Sequence, residues 1–199
     1  MPIQFDFHPK KAIAAIRFLA ECEVPDLTKE KANKLIFLAD KAHLVRFARP
    51  ITGSTYAALP HGPVPSQIDN LLDELEADQI SSANAQLLAS EVCLDRRFRY
   101  PRLVARGTTQ TAIEQLSPSD ISVFREILKR FSGMDFSQLR AITHEMPAYE
   151  RAWESRTGNR GWMKFEDLFE EDENAVLGAL EEATENWKIR SQFPEPCWD

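Results

Sequence analysis

The sequence predicts a mainly helical protein with one main core and a small antiparallel β-hairpin. Apolar residues recur at helical spacing in both halves of the chain, and the pattern changes to period two between positions 90 and 107. The 199 residues suit one domain with additions or two small domains. The apolar fraction of 43% and the charged fraction of 28% are typical of globular proteins, which argues against disorder over the whole chain.

The first two helices are predicted from apolar stripes and from the residues at their ends. Residues 10–20 carry apolar side chains at helical spacing, and the sequence at 24–26 breaks the pattern. Thr28 can cap the second helix, which the run at 35–38 makes apolar on nearly every side before Arg49 and Pro50 stop it. A helix of this kind is usually central to a core.

The segment 51–65 is dense in glycine and proline and predicts a turn, a brief strand at 56–59 and a tight corner. Because Gly53 and Gly62 can adopt positive φ and prolines fix their own φ, we expect this segment to be rigid. Ser66 is predicted to cap an amphipathic third helix. Its solvent-facing side is acidic: Asp69, Asp73, Glu74 and Glu76.

The period-two segment at 90–107 predicts the hairpin. Val92 and Leu94 alternate with polar residues, and aromatic residues then alternate with arginines. A basic hairpin with aromatic residues can contact nucleic acid or an acidic partner protein. It can equally be a solvent-exposed edge strand whose charges prevent pairing with other chains. The candidate partner-binding residues are Arg96, Arg97, Phe98, Arg99 and Arg102.

The C-terminal half returns to helix. Residues 117–120 combine a cap, a first-turn proline and an acidic residue, and the helix that follows is predicted to end at Gly133. The remaining predicted elements are a helix from Asp135 or Ser137 through Ile142, its resumption at 148–155 after Pro147, a loop at 157–161, a short segment at 164–169, a final helix at 174–189 and an extended tail at 191–199.

Charge and cysteine content limit the classes of partner. The net charge of −7 would repel a phosphate backbone, so only a local basic patch could bind nucleic acid. No apolar stretch is long enough for a membrane span and residues 1–10 lack signal-peptide features, so we expect a cytoplasmic protein without membrane contact. Cys22, Cys93 and Cys197 are far apart and form no CxxC pair, which argues against disulfides and zinc.

One constellation could support acid–base chemistry or hold a metal: Asp40, His43, His61, and His144 with Glu145. Asp40 and His43 share a helix face, but this spacing is common. No recognised catalytic or metal-binding motif accompanies the set. We therefore expect no enzymatic activity, no metal and no cofactor, with histidines that form hydrogen bonds within the core.

Several separate motifs resemble the Panacea (SocA-like) antitoxin domain family, which includes phage-associated GepA-like proteins. The resemblance rests on the sequence at 34–40, 49–53, Tyr56 and 61–64, and on a second match at 116–117, 143–144 and Trp153. Ala48 stands where glycine is expected. The resemblance implies a domain at 1–160, followed by a helical extension and tail at 161–199. Its signature residues, expected to be structural, are Asp40, His43, Gly53, Tyr56, His61, Gly62, Pro63, Val64, His144 and Trp153.

Members of this family are antitoxins encoded beside very different toxins, so the resemblance implies that the chain neutralises a cognate toxin by direct binding. It implies either coverage of the toxin's active surface or presentation of the toxin to a protease. Two alternatives stay open: a DNA-binding regulator, because the element order is shared with winged helix-turn-helix domains, and a hydrolase that uses the His and Asp set. The acidic third helix counts against DNA binding, because a recognition helix must enter a phosphate-lined groove.

The C-terminal region is acidic and rich in tryptophan. Such a charge run either solvates a helix face or meets a basic toxin. Trp162, Trp187 and Trp198 are candidate interface anchors in this region, although most tryptophans belong to cores.

Overall fold

The computed structural model describes residues 3–107, 113–169, 178, 181–185 and 188 of the chain. It confirms the mainly helical fold class with small antiparallel strand pairs. The helices are α1 (Pro9–Glu21), α2 (Lys29–Phe47), α3 (Ser66–Glu76), α4 (Ala83–Glu91), α5 (Pro118–Phe131), α6 (Phe136–His144) and α7 (Pro147–Glu154), with short 3₁₀ segments at Ile113–Gln115 and Glu166–Phe169. The strands are β1 (Tyr56–Leu59), β2 (Gly62–Pro65), β3 (Val92–Asp95), β4 (Arg102–Ala105) and β5 (Gly161–Trp162).

The predicted final helix at 174–189 is helical at positions 178, 181–185 and 188, and its other positions lie outside the described residues. The predicted tail at 191–199, with Trp198, also lies outside them, as does Trp187. No helix in the described part of the chain combines the length and the apolar character that crossing a bilayer requires.

Helix α2 is the centre of the core. Its residues from Lys31 to Asp40 are buried, and it packs against α1, α3, α5 and α6 and against β2. This position follows from the near absence of a polar face in its middle. The Thr28 side chain accepts a hydrogen bond from the Lys31 backbone N–H at 3.3 Å, as the sequence predicts.

Two capping boxes fix the boundaries of the C-terminal helices. Ser117 and Asp120 form the predicted box at the start of α5, and Asp135 forms a second box with Gln138 that starts α6. Pro147 occupies the first position of α7, where its missing N–H costs nothing, so it begins a new helix after a break.

The first sheet has the strand order β2-β1-β5, and both pairings are antiparallel. The predicted corner is a tight connection between β1 and β2, and β2 runs directly into α3. The prediction that Ser66 caps α3 was wrong: Pro65 is the N-cap residue, and the buried Ser66 hydroxyl has no hydrogen-bond partner in the described protein. Strand β5 joins this sheet, and Phe165, Leu168 and Phe169 are buried in the main core, so this part of the predicted extension packs with the preceding domain.

The second sheet is the predicted hairpin of β3 and β4. The predicted alternation is wrong at Phe98 and Tyr100, because both lie in the connection between the strands, residues 96–101, which we call the hairpin turn. The sequence also missed α4, which separates α3 from the hairpin. Only Ala85 and Leu88 of α4 are buried, so it has no apolar stripe by which to recognise it.

Candidate functional site

Asp40, a signature residue on α2, holds the segment that follows this helix. Its buried carboxylate accepts hydrogen bonds from the backbone N–H groups of Ile51 and Thr52 at 2.9 and 3.0 Å, from the Thr52 hydroxyl and from the Tyr56 hydroxyl at 2.5 Å. Burial raises the pKa of the Asp40 carboxyl, and the hydrogen bonds from Thr52 and Tyr56 oppose that rise. The role of this carboxylate is therefore structural.

The neighbouring signature glycine, Gly53, is needed for two reasons. Its φ of +68° lies in the left-handed region. A Cβ at this position would also stand 2.0 Å from the carbonyl oxygen of Asp6, so no side chain fits between the loop and the N-terminal segment.

His43 belongs to a different buried network that joins the end of α2 to the start of α5. Its Nδ1 lies 2.7 Å from the Arg49 carbonyl oxygen, and its Nε2 lies 3.2 Å from Ser119 Oγ and 3.1 Å from Asp120 Oδ1. Burial raises the pKa of Asp120, but hydrogen bonds from His43 and Lys11 outweigh it and hold that pKa well below its usual range. Ser119 and Asp120 share one ring nitrogen, so the serine–histidine–aspartate relay of a hydrolase does not form.

The remaining signature residues gather at the β1–β2 turn, residues 59–63. Gly62 has φ +101°, Pro63 and Val64 are buried, and the turn carbonyls accept hydrogen bonds from side chains of α2, α6 and α7. The rigidity expected from glycine and proline is therefore reinforced by tertiary contacts. The donor and acceptor pairs are Tyr149 Oη to Leu59 O (2.9 Å), Arg140 Nη2 to Pro60 O (3.2 Å) and Lys34 Nζ to Pro63 O (2.8 Å).

His144 and Trp153 extend this group along α6 and α7. The His144 ring centroid lies 4.4 Å from that of Tyr149, which stacks on Trp153 with centroids 6.1 Å apart. Burial lowers the pKa of His144, as do the charges of Arg140, Lys34 and His61, while a hydrogen bond with the His61 backbone raises it. Burial also lowers the pKa of Lys34 to about 7.

The structure separates the residues considered for catalysis or metal binding. Asp40 and His43 lie in different networks, and His61 and His144 lie at the β1–β2 turn. In the part of the chain that the structure describes, no three His, Cys, Asp or Glu side chains are grouped so as to hold a metal ion. The geometry gives the signature residues a role in holding loops and helix ends.

The hairpin turn, by contrast, presents side chains to solvent. The Arg97 side chain is 85% exposed, Tyr100 is 61% exposed and Phe98 is 41% exposed. The guanidinium of Arg102 lies 3.4 Å from the ring centroid of Phe98, and that of Arg99 lies 5.3 Å from the ring centroid of Tyr100. These contacts hold two large aromatic rings in place at the surface.

Two of the predicted contact arginines also hold the fold. Arg96 donates to the carbonyl oxygen of Glu76 at 2.8 Å, at the C-terminal end of α3. Arg102 forms an ion pair with Asp26, in the connection between α1 and α2. Of the five residues predicted from the sequence, Arg97, Phe98 and Arg99 are thus the ones that the structure leaves most available to a partner.

Two clefts flank Phe98 and share Asp26 and Arg102 as a common wall. The larger, of about 410 Å³, is lined by the hairpin turn and by the starts of α2 and α6, with Tyr100 and Phe136 at its side. The smaller, of about 360 Å³, lies toward the exposed Val104. We call this region the two-cleft surface. Sequence reasoning left Tyr100 and Val104 out of the candidate list, although the alternation of aromatic residues with arginines already included Tyr100.

Comparison with known proteins identifies the family. Neither the search of the curated proteins nor that of the solved structures finds a match. A family model described as "Antitoxin SocA-like, Panacea domain" matches residues 33–153, which is more than half of the chain and includes every signature residue discussed above. The chain belongs to the SocA-like Panacea domain family of antitoxins.

Proposed function

We propose that this protein is an antitoxin that neutralises its cognate toxin by direct binding, and that the two-cleft surface is the contact. Membership of an antitoxin family carries the proposal. The location of the contact is supported by the exposure of Arg97, Phe98 and Tyr100 on a single turn beside two concavities. Arginine and aromatic residues are enriched among the residues that dominate binding energy in protein interfaces.

The shape of this surface suits a protein partner. Phe98 stands between two clefts, so a partner can place side chains on both sides of one ring. The ring is held by Arg102, which is itself anchored to Asp26, so little side-chain freedom is lost on binding. Exposed Arg97 and Arg99 add positive charge, which would speed association with an acidic toxin surface.

Direct binding is favoured over operator binding by the surroundings of the hairpin. On α3, Asp69 and Asp73 lie beside Lys29, and Asp73 remains more than half exposed, so the helix keeps an acidic face. Helix α4 also intervenes between α3 and the hairpin, which departs from the order of a winged-helix domain. An acidic helix next to the hairpin opposes entry into a phosphate-lined groove.

Co-expression with the toxin encoded beside this gene tests the proposal. The variant with Arg97→Glu, Arg99→Glu and Tyr100→Ala is expected to lose growth rescue and to bind the purified toxin at least tenfold more weakly. The matched control is Lys129→Glu with Arg130→Glu and Leu87→Ala, which changes two exposed cations on α5 and an exposed apolar residue on α4, all outside the lining of the two clefts. Full rescue by the first variant, at equal expression and thermal stability, would remove the two-cleft surface as the contact.

Two further measurements in the same cells separate the remaining mechanisms. Occlusion leaves the toxin's lifetime unchanged when the antitoxin is present, whereas presentation to a protease shortens it. We propose that neutralisation takes place in the cytoplasm. A gel shift with the DNA upstream of the gene, performed at two salt concentrations, would detect operator binding, because phosphate contacts weaken steeply with salt.

A further inference from the structure

We infer that the side chains around the β1–β2 turn form a binding site for a tetrahedral oxyanion of the phosphate type. The buried Lys34 and the half-buried His144 form its floor, and the exposed His61 and Arg140 form its entrance. This site lies at the opposite end of α2's buried stretch from the Asp40 network and shares no residue with the two-cleft surface. The His61 ring lies 6.2 Å from that of Phe136, which lines the larger cleft, so the two sites are adjacent.

The ammonium of Lys34 has unused hydrogen-bonding capacity. Lys34 is 1% exposed, and its Nζ donates to one acceptor, the Pro63 carbonyl oxygen at 2.8 Å. An ammonium carries three N–H donors. Among the described residues it forms no ion pair: the acidic groups that act on it, Asp69 and Glu30, do so from a distance. A buried charge without a counter-charge is costly, and a bound anion would offset that cost.

His144 supplies an unsatisfied polar atom. Its Nε2 is buried and has no hydrogen-bond partner in the described protein, while the ring interacts with the backbone of His61. Buried polar atoms are normally paired, so each exception requires an explanation. Lys34, Arg140 and His61 all lie close enough for their charges to act on His144. An ammonium with spare donors, one unpaired ring nitrogen and two exposed basic residues thus lie around one turn.

Gly62 brings the backbone of the turn next to these groups. A Cβ at Gly62 would lie 3.0 Å from Lys34 Cε, 3.1 Å from Lys34 Nζ and 3.1 Å from Thr143 Oγ1, which is closer than side-chain atoms normally pack. A side chain at this position would therefore crowd the ammonium and the hydroxyl. The glycine serves the turn through its φ of +101° and lets the turn pack directly against Lys34.

The charge of the cluster favours a dianion. The groups that face His144 are basic on each neighbouring element: Lys34 on α2, His61 on the turn and Arg140 on α6, with the neutral phenol of Tyr149 on α7. Lysine binds phosphate-type anions as a point charge and arginine binds them with a planar fork of donors. For His144 Nε2 to donate to the anion, the ring must be protonated, so binding takes up a proton.

Sulfate is the first probe, because it is tetrahedral and its charge is constant between pH 6 and pH 8. The full-length protein is titrated with sodium sulfate against sodium chloride at equal ionic strength, and the histidine ring signals are followed by NMR. Saturable shifts are expected at His61 and His144 and not at His43, which is tied to Asp120. Affinity is expected to rise as the pH falls from 7.5 to 6, by up to tenfold per pH unit for each linked proton, since both His144 and Lys34 can take one up. Inorganic phosphate is expected to produce the same shifts.

Variants decide whether these groups form the site. Arg140→Gln, at the exposed entrance, is expected to weaken sulfate binding at least fivefold, and Arg130→Gln on α5 is the matched control. His144→Gln is expected to reduce the pH dependence to the part that comes from Lys34, whose pKa is about 7. If Lys34→Met does not fold, Arg140→Gln and His144→Gln still test the site. The inference is overturned by an absence of saturable shifts, by equal binding in Arg140→Gln, or by acetate binding as tightly as sulfate, which would indicate a carboxylate site.

Discussion

Arg17 shows how single buried polar side chains hold distant segments of this protein together. It lies on α1, and its guanidinium donates to the carbonyl oxygens of Glu91 at 2.6 Å and Gly107 at 3.0 Å, and also to that of Arg106. Glu91 ends α4 just before the hairpin, and Arg106 and Gly107 follow it. One arginine thus fixes both ends of the hairpin to α1, using donors that are charged and therefore strong.

Lys34 gives a prediction about pH. Its pKa of about 7 in the folded protein lies below the ordinary lysine value of 10.5, so between these values the unfolded chain binds a proton that the folded protein lacks. The free energy of unfolding should therefore increase with pH across this window and decrease as the pH falls toward 7, by at most about 1.4 kcal/mol per pH unit.

Urea unfolding of the wild type and of Lys34→Met at pH 7 and pH 9, in buffers without phosphate or sulfate, would measure this effect. The stability of the wild type relative to the variant is expected to rise by roughly 1–2.5 kcal/mol between the two values. A difference that does not change with pH would show that Lys34 stays charged in the folded protein.

Single residues were predictable where backbone geometry leaves few choices. Positive φ at Gly53 and Gly62 was expected from the density of glycine and proline, and both have it. Ala48 stands where the family resemblance led us to expect glycine, and its φ of +55° explains why glycine suits that position. Ser66 was misassigned as a cap. The N-cap position depends on where β2 ends, and composition does not reveal that β2 continues to Pro65 and leads directly into α3.

Among the elements, helices with a clear apolar stripe, and α6 and α7 with their cap and proline, were predicted, whereas α4 was not. Helices α1, α2, α3 and α5 were found because each buries a continuous set of apolar residues. Helix α4 rests instead on Ser82, whose side chain accepts from Ala85 N, and on the carboxylate of Glu74, which holds Ser81 and Ser82. Such contacts depend on the tertiary structure and leave no periodic pattern of apolar residues in the sequence.

The hairpin turn yields a prediction that separates two adjacent arginines. Arg96 donates to the end of α3, whereas Arg97 contacts only Asp95 within the hairpin and is largely exposed. Arg96→Ala is expected to lower the free energy of unfolding by about 1–2 kcal/mol, since a charged donor to a helix end is lost, whereas Arg97→Ala is expected to leave it nearly unchanged.

Toxin binding should show the reverse order. Arg97→Ala is expected to slow association, while Arg96→Ala should affect binding mainly through stability. Thermal unfolding and binding kinetics on the same two proteins would check both effects. Equal loss of stability in both variants would contradict the structural assignment of Arg96.

For the whole molecule, the core extends beyond the region that defines the family. Residues of α1 before position 33 are buried along most of that helix, and Phe165, Leu168 and Phe169 are buried after position 153. The backbone N–H of Ile3 also donates to Glu166 at 2.6 Å, which joins the N-terminal segment to the 3₁₀ segment beyond α7. Sequence periodicity identified both flanking regions as ordered, but it could not show that they meet.

A fragment of residues 33–153 is therefore expected not to fold cooperatively on its own. Removing α1 exposes the apolar surface of α2, and removing residues after 153 takes away β5, which pairs with β1. Far-UV circular dichroism during urea titration would measure this, with the full chain as the reference. A sigmoidal transition of the fragment, with the same midpoint as that of the full chain, would contradict the prediction.

The signature residues that stabilise the fold and the residues proposed to contact the toxin are different sets. Asp40, His43 and Pro63 make their contacts inside the protein, while Arg97, Phe98 and Tyr100 project from a six-residue connection between two strands. Substitutions in the hairpin turn can therefore accumulate without disturbing the core. In engineering terms the hairpin turn is a graft site: transplanting its residues between relatives, with Arg96 and Arg102 retained as anchors, should move toxin preference from one antitoxin to another.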